Sequence, residues 1–173
     1  MIIVLMGYMG SGKSTIGRQL AEVLNYRFVD LDDYIVEKEK TNINGIFKKR
    51  GEIYFRKIEA SYLKEVITSS DNIILALGGG TPCYGTNLEL LLQEEKVKSL
   101  YLKLSIPNLV ERLFKERGTR PLISHIENKE DLTEFIGKHI FERVQFYNKA
   151  EFTIACDNKS EKEITEAILL QLI

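Results

Sequence analysis

The opening IIVLMGYMGSGKST constrains this chain more than any other stretch. Ile2 to Met6 is an unbroken apolar run that stops at a glycine, as expected of a strand buried on both faces. Gly7 to Ser14 then fits G-x-x-x-x-G-K-[ST] in full, and Ile16, Leu20, Val23 and Leu24 recur at helical spacing from Lys13 to Leu24. A buried strand, a glycine loop and a helix in that order turn backbone N–H groups inward and add the partial positive charge of a helix N-terminus. The expected occupant is the polyphosphate of a nucleotide. Gly10, Ser11, Gly12, Lys13, Ser14 and Thr15 are the candidate contacts, with Lys13 reaching the β- and γ-phosphates and Ser14 ligating Mg²⁺.

Four further strands are expected at Arg27 to Asp30, Asn72 to Leu77, Val97 to Lys103 and Glu151 to Ala155. Helical patterns fill the gaps, notably Ile53 to Ile67, with Ile58, Tyr62, Val66 and Ile67 on one stripe. Strands alternating with helices imply βαβ units and a parallel sheet. The 173 residues fit one domain (1–173), large enough to bury roughly 70% of its unfolded surface. One region departs from this order. KERGTRPLISHIENKED, Lys115 to Asp131, is polar and weakly periodic, and long irregular segments in compact domains are usually lids or disordered pieces. Arg112, Arg117 and Arg120 suit a mobile lid that faces an anion.

Several function classes are disfavoured. Twenty-four Lys and Arg against 25 Asp and Glu leave no global field to recruit nucleic acid or anionic lipid. Cys83 and Cys156 lie far apart without a CxxC pattern, so neither a disulfide framework nor a zinc site is suggested. The longest apolar run is too short for a membrane span and has no signal-peptide pattern, so a soluble cytoplasmic protein is expected. A GTPase switch would carry DxxG after a strand and a base-reading NKxD. Asn148-Lys149-Ala150-Glu151 approaches the latter, but ends in Glu and reads as a helix–strand junction.

The stretch FVDLDD places three acids beside the expected triphosphate. Asp30 ends the second strand, where ligands of open parallel sheets bind, and can face Mg²⁺. Asp32 can aim past the phosphates at an acceptor hydroxyl and take its proton. Asp33 reads as a solvated acid at the N-terminus of the next helix. Arg56 and Glu59, at i and i+3 on a helix beginning near Gly51, have two readings. They form either a surface ion pair of little worth or a guanidinium oriented to grip a substrate carboxylate. Gly78-Gly79-Gly80 is either a tight turn or a backbone that comes very close to a ligand.

Taken together, GYMGSGKSTIG, FVDLDD, IFKKRGEIYFRKIE, LALGGGTP, GTRPL and ERVQFY resemble the shikimate kinase family over essentially the whole chain. The glycine loop alone is shared by many proteins, whereas the ordered set of D-x-D, F-R-x-I-E, G-G-G and R-P-L is far more specific. The resemblance implies a three-layer α/β P-loop kinase fold with five parallel strands in the order 2-3-1-4-5, flanked by helices and carrying a lid. It implies MgATP-dependent phosphorylation of the 3-hydroxyl of shikimate, a step of chorismate and aromatic amino acid biosynthesis, by a monomer. Asp32 matches the acid at the hydroxyl, and Arg56 and Arg143 match the arginines on the shikimate carboxylate, with Glu59 in support. Gly79 and Gly80 match the backbone beside the substrate, and Arg120 matches the lid arginine over ATP. Phe47 and Phe55 match aromatic positions near the substrate ring, for which core packing is an equal explanation. The segment CDNKSEK, where the family contacts adenine, has no assignable residue, and neither His125 nor His139 is expected to have a role. A kinase for gluconate or a nucleoside monophosphate is the nearest rival. It has less reason to place arginines at both 56 and 143.

Overall fold

In the computed structural model, which describes residues 1–172, five strands form one parallel sheet in the order β2-β3-β1-β4-β5. They are β1 (Ile2–Met6), β2 (Arg27–Asp30), β3 (Ile73–Ala76), β4 (Val97–Lys103) and β5 (Phe152–Ala155). β1 lies between β3 and β4, with Ile2 in register with both Ile73 and Val97, and all its side chains are buried. A strand covered by neighbours on both edges and helices on both faces has no wet side, hence its unbroken apolar sequence. The strand order matches the one that the resemblance implies. β3 starts one residue later than expected because Asn72 turns the chain at φ 54°. β5 starts at Phe152, after Glu151 has left the ladder to pair with Lys98.

Among the described residues seven α-helices accompany the strands: α1 (Lys13–Leu24), α2 (Leu31–Glu39), α3 (Ile43–Ser69), α4 (Asn87–Gln93), α5 (Ile106–Glu116), α6 (Lys129–Tyr147) and, after the last strand, α7 (Glu161–Leu172). α1 buries Ile16, Gly17, Leu20 and Ala21, and packs on β3 and α7. Val23, expected on that face, is 60% exposed. Among the described residues no helix is long and apolar enough to cross a membrane.

The third helix departs most from expectation. It begins at Ile43 and runs through Gly51, whose φ 80° and ψ 173° kink two helical segments together. Its buried stripe is Phe55, Glu59, Leu63, Val66 and Ile67, whereas Ile58 and Tyr62 are only half-buried and Ile53 is exposed. Val66 and Ile67 are buried as expected, while the first half of the stripe runs one position later, through Glu59 and Leu63. A carboxylate in the middle of a core-facing stripe needs partners, and these lie in the site described below.

The polar stretch before α6 is shorter and better anchored than its composition suggests. Lys115 and Glu116 belong to α5 and Lys129 to Asp131 belong to α6, which leaves 117–128, itself opened by a short 3-10 turn at Arg117–Thr119. Ile123 and Ile126 within it are buried, while Leu122 is exposed. Asn128 caps α6 by accepting from the Asp131 amide at 2.8 Å.

Candidate active site

The carboxyl ends of the parallel strands open on one cleft of about 540 Å³, lined by the glycine loop, Asp30, Asp32, the glycine turn after β3, Arg112 and Arg120. Gly10 and Gly12 of the loop take φ 77° and 95°, values that a side chain would strain. A Cβ on Gly10 would also stand 2.9 Å from Leu113 Cδ2. Lys13 Nζ donates to the carbonyls of Gly7 and Tyr8, each at 2.9 Å, and so rests inside the loop. Burial pushes this ammonium down to about 8, against the upward pull of Asp30 and Asp32 and with the repulsion of Arg120 and Arg143.

Asp30 does two things at the end of β2. Its Oδ1 accepts from the Asp32 amide at 3.1 Å and so caps α2, which starts at the next residue. Its Oδ2 accepts from Ser14 Oγ at 2.9 Å. A hydroxyl and a carboxylate are thereby set side by side at the edge of the phosphate loop, an oxygen pair suited to a hard cation such as Mg²⁺. Asp32 enters the cleft from the first turn of α2, while Asp33, in the same turn, is exposed as expected. Burial raises the Asp32 carboxyl to about 6, helped by the charges of Asp30 and Glu59 and opposed by Lys13.

Arg56 and Glu59 are not a surface pair. Glu59 is 1% exposed, accepts from Arg56 Nη1 at 3.0 Å through one oxygen and from Thr81 Oγ1 at 2.7 Å through the other. Thr81 is in turn held by Asn87, whose Nδ2 donates to its carbonyl at 2.9 Å. The guanidinium of Arg56 stacks 3.7 Å from the ring centroid of Tyr84.

The three glycines after β3 serve space, not conformation, since none has a positive φ. A Cβ on Gly78 would lie 3.2 Å from Asp32 Oδ1, one on Gly79 would lie 3.5 Å from Arg143 Nη1, and one on Gly80 would lie 3.1 Å from Arg56 Nη2. Three consecutive residues thus admit three charged side chains from α2, α6 and α3. The sequence suggested a ligand pressed against this backbone; the structure presses three charged side chains there.

The other expected residues fall into two groups. Arg120 faces the cleft but is held by Glu116, with Nε at 2.9 Å and Nη2 at 2.5 Å from one carboxylate oxygen. Ser11 is buried in the loop, and Thr15 lines the cleft from the first turn of α1. Arg112 belongs to α5, where its Nη1 donates to the Gly10 carbonyl at 3.3 Å, so it serves the phosphate loop rather than a lid. Arg117 turns away, donating to the Phe114 carbonyl at 2.7 Å and stacking 4.0 Å over that ring. Phe47 and Phe55 pack on each other at 4.6 Å, Phe55 buried and Phe47 half-buried. In CDNKSEK, Asp157 accepts from the Ser105 amide at 3.0 Å and from Asn108 at 2.5 Å, which fixes the start of α5. His139, for which no role was expected, has Nδ1 2.9 Å from Tyr8 Oη. Sequence reading also missed Thr81, Tyr84 and Tyr147. Of these only Thr81 had a local signal, its place directly after the glycines.

Known proteins share this architecture. A family model described as shikimate kinase matches residues 9–173. A shikimate kinase of Flavobacterium johnsoniae is 46% identical over 167 residues, covering 96% of each chain. The crystal structure of shikimate kinase from Bacteroides thetaiotaomicron superposes with a TM-score of 0.90 at 31% identity, over 99% of this chain and 97% of that one. A shikimate kinase from Acinetobacter baumannii in complex with shikimate gives a TM-score of 0.86 at 32% identity, over 99% and 92%.

Proposed function

The chain belongs to the shikimate kinase family, and on that premise we propose how its residues move the γ-phosphoryl group of ATP to the 3-hydroxyl of shikimate, yielding shikimate 3-phosphate and ADP. Shikimate lies against the glycine turn, its carboxylate gripped by Arg56 and Arg143. Glu59 keeps the Arg56 fork in place from behind, because a buried carboxylate bonded to Thr81 cannot swing away. Asp32 accepts the proton of the hydroxyl while its oxygen attacks the γ-phosphorus, one P–O bond forming as the bond to ADP breaks. A carboxyl raised to about 6 is a better base than an ordinary aspartate and is still ionised at neutral pH.

The nucleotide sits on Gly10, Ser11, Gly12, Lys13, Ser14 and Thr15. Lys13 leaves the carbonyls of Gly7 and Tyr8 for the β- and γ-phosphates. Ser14 and Asp30 would hold Mg²⁺, which when bound neutralises charge on those phosphates. Arg120 leaves Glu116 to meet the transferring group, carried by a lid drawn from 117–128. An exposed i,i+4 ion pair is worth little, so its loss opposes closure only weakly. Every group named comes from one chain, and the monomer is the working unit.

The observation that carries this reading is the convergence of Asp32, Arg143 and Arg56 on Gly78, Gly79 and Gly80. A base and two cations around one small space fit an acid that bears a reactive hydroxyl. Coupled ADP-release assays with shikimate, gluconate and nucleoside monophosphates test it. Turnover is expected with shikimate alone. A nucleoside monophosphate or gluconate turned over with equal kcat/KM would refute the assignment of the two arginines.

A further inference from the structure

Helix α6 meets the site along a single stripe. His139, Arg143 and Tyr147 are spaced by four residues and therefore share a face. Tyr147 is fully buried, and its hydroxyl donates to the Gly79 carbonyl at 2.6 Å. One turn to the other side of Arg143, His139 Nδ1 lies 2.9 Å from the hydroxyl of Tyr8, itself buried in the phosphate loop. The Arg143 guanidinium lies between these ties, 6.0 Å from the Tyr8 ring centroid and 3.5 Å from the place of a Cβ on Gly79.

Arg143 differs from Arg56 in one respect. Arg56 has the buried Glu59 at 3.0 Å, whereas among the described residues no carboxylate lies within ion-pair distance of Arg143. No counter-charge fixes its position. A long side chain on a surface helix then points accurately only if the helix itself is held, and here two hydrogen bonds hold it one turn before and one turn after.

We propose that Tyr147 and the Tyr8–His139 pair are positioning residues that set Arg143 over the glycine turn, doing for it what Glu59 does for Arg56. This rests on the reading that Arg143 binds the shikimate carboxylate. The two ties are not equivalent. Tyr147 fixes α6 to the acceptor side, and His139 fixes it to the phosphate loop.

Double-mutant cycles test the proposal, with Tyr147→Phe and His139→Leu each made alone and with Arg143→Ala. Arg143→Ala is expected to raise the KM for shikimate by a factor of about ten or more, the worth of a charge-assisted bond. Tyr147→Phe and His139→Leu should each raise it roughly threefold to tenfold, the worth of one ordinary hydrogen bond, with KM for ATP changed less than about twofold. On the Arg143→Ala background neither should add to the loss, since the group they position is gone. His139→Gln, which keeps an acceptor for Tyr8, should restore most of the affinity. Phenol and imidazole changes without effect, or effects equally large with and without Arg143, overturn the proposal while leaving Arg143 its role. An unchanged shikimate KM in Arg143→Ala overturns the reading of Arg143 itself, and the proposal falls with it. Should Tyr147→Phe fail to fold, the His139 cycle decides alone.

Discussion

On the nucleotide side of the cleft, Gly10 and Gly12 take φ 77° and 95° so that one continuous stretch of backbone curls inward. On the acceptor side, Gly78, Gly79 and Gly80 have no positive φ and only leave room for Asp32, Arg143 and Arg56. The first half is made of main chain held in a conformation. The second is made of side chains from three helices, with Glu59, Thr81 and Asn87 joined in a buried network behind Arg56 and Tyr147 separately bonded to the Gly79 carbonyl. Damage to the first should appear as lost folding and lost chemistry together. Damage to the second should appear as lost affinity in a protein that still folds.

The largest expected effect lies where the halves meet, at the two acids of β2 and α2. Asp32→Asn cannot accept the hydroxyl proton, so kcat should fall by roughly 10²–10⁴, and added Mg²⁺ should not restore it. Asp30→Asn loses charge beside Ser14, and excess Mg²⁺ should recover part of its activity. A magnesium titration of both variants separates the roles; metal rescue of Asp32→Asn, or identical defects, would show the acids divided wrongly. The wild type adds a pH signature. Asp32 must be ionised to act, so kcat/KM should drop as pH falls through about 6 and level off above it. The same raised carboxyl opposes folding. Its cost is fully present above about 6 and is relieved as pH falls towards the ordinary aspartate value of 3.8. Asp32→Asn should accordingly stabilise the free protein at pH 8, on the order of 1–3 kcal/mol, and much less at pH 4.

Next in size is a pair of alanines. Gly10→Ala forces a side chain into a left-handed backbone and against Leu113, at a cost of about 1–2 kcal/mol before the contact is counted. Its Tm should fall by several degrees along with its activity. Gly80→Ala, at φ −89°, meets chiefly the movable end of Arg56 and, at an ordinary contact distance of 3.4 Å, the Tyr84 ring, so Tm should hold while the KM for shikimate rises severalfold. Equal melting losses in the two would erase the distinction between the halves. The smallest effect concerns the lid. Hydrogen exchange across 117–128 should slow when a non-hydrolysable ATP analogue binds, except near Ile123 and Ile126, which are buried already. Unchanged exchange throughout would remove the lid from the mechanism.

The two halves were also unequally legible in the amino-acid sequence. The loop from Gly7 to Thr15 is contiguous, so its motif could be read directly, as could the unbroken apolar strand before it. Asp30 and Asp32 followed from their place at a strand end. Glu59 was harder, because i,i+3 spacing with Arg56 says that two side chains can meet but not whether they meet in solvent or in the core. The expected stripe accordingly held at Val66 and Ile67 but took Ile58 and Tyr62 in place of Glu59 and Leu63. The Tyr8–His139 and Tyr147–Gly79 contacts join residues 131 and 68 positions apart, and no local pattern encodes them. Gly51 also misled, since a glycine that kinks a helix looks in sequence like one that begins it.

Lys13 has a consequence beyond catalysis. With its ammonium bonded to the carbonyls of Gly7 and Tyr8, the free loop is wrapped around its own cation. The cradle is therefore cast in advance, as clay keeps the shape of a former, and on the proposed reading an arriving nucleotide would displace the former instead of shaping the clay. Two hydrogen bonds inside the chain would then be exchanged for bonds to phosphate oxygens, and the ordering of a glycine-rich segment need not be met at that moment. Recognition then becomes a substitution reaction at one nitrogen, open to any ligand whose oxygens outbid two carbonyls for the same charge.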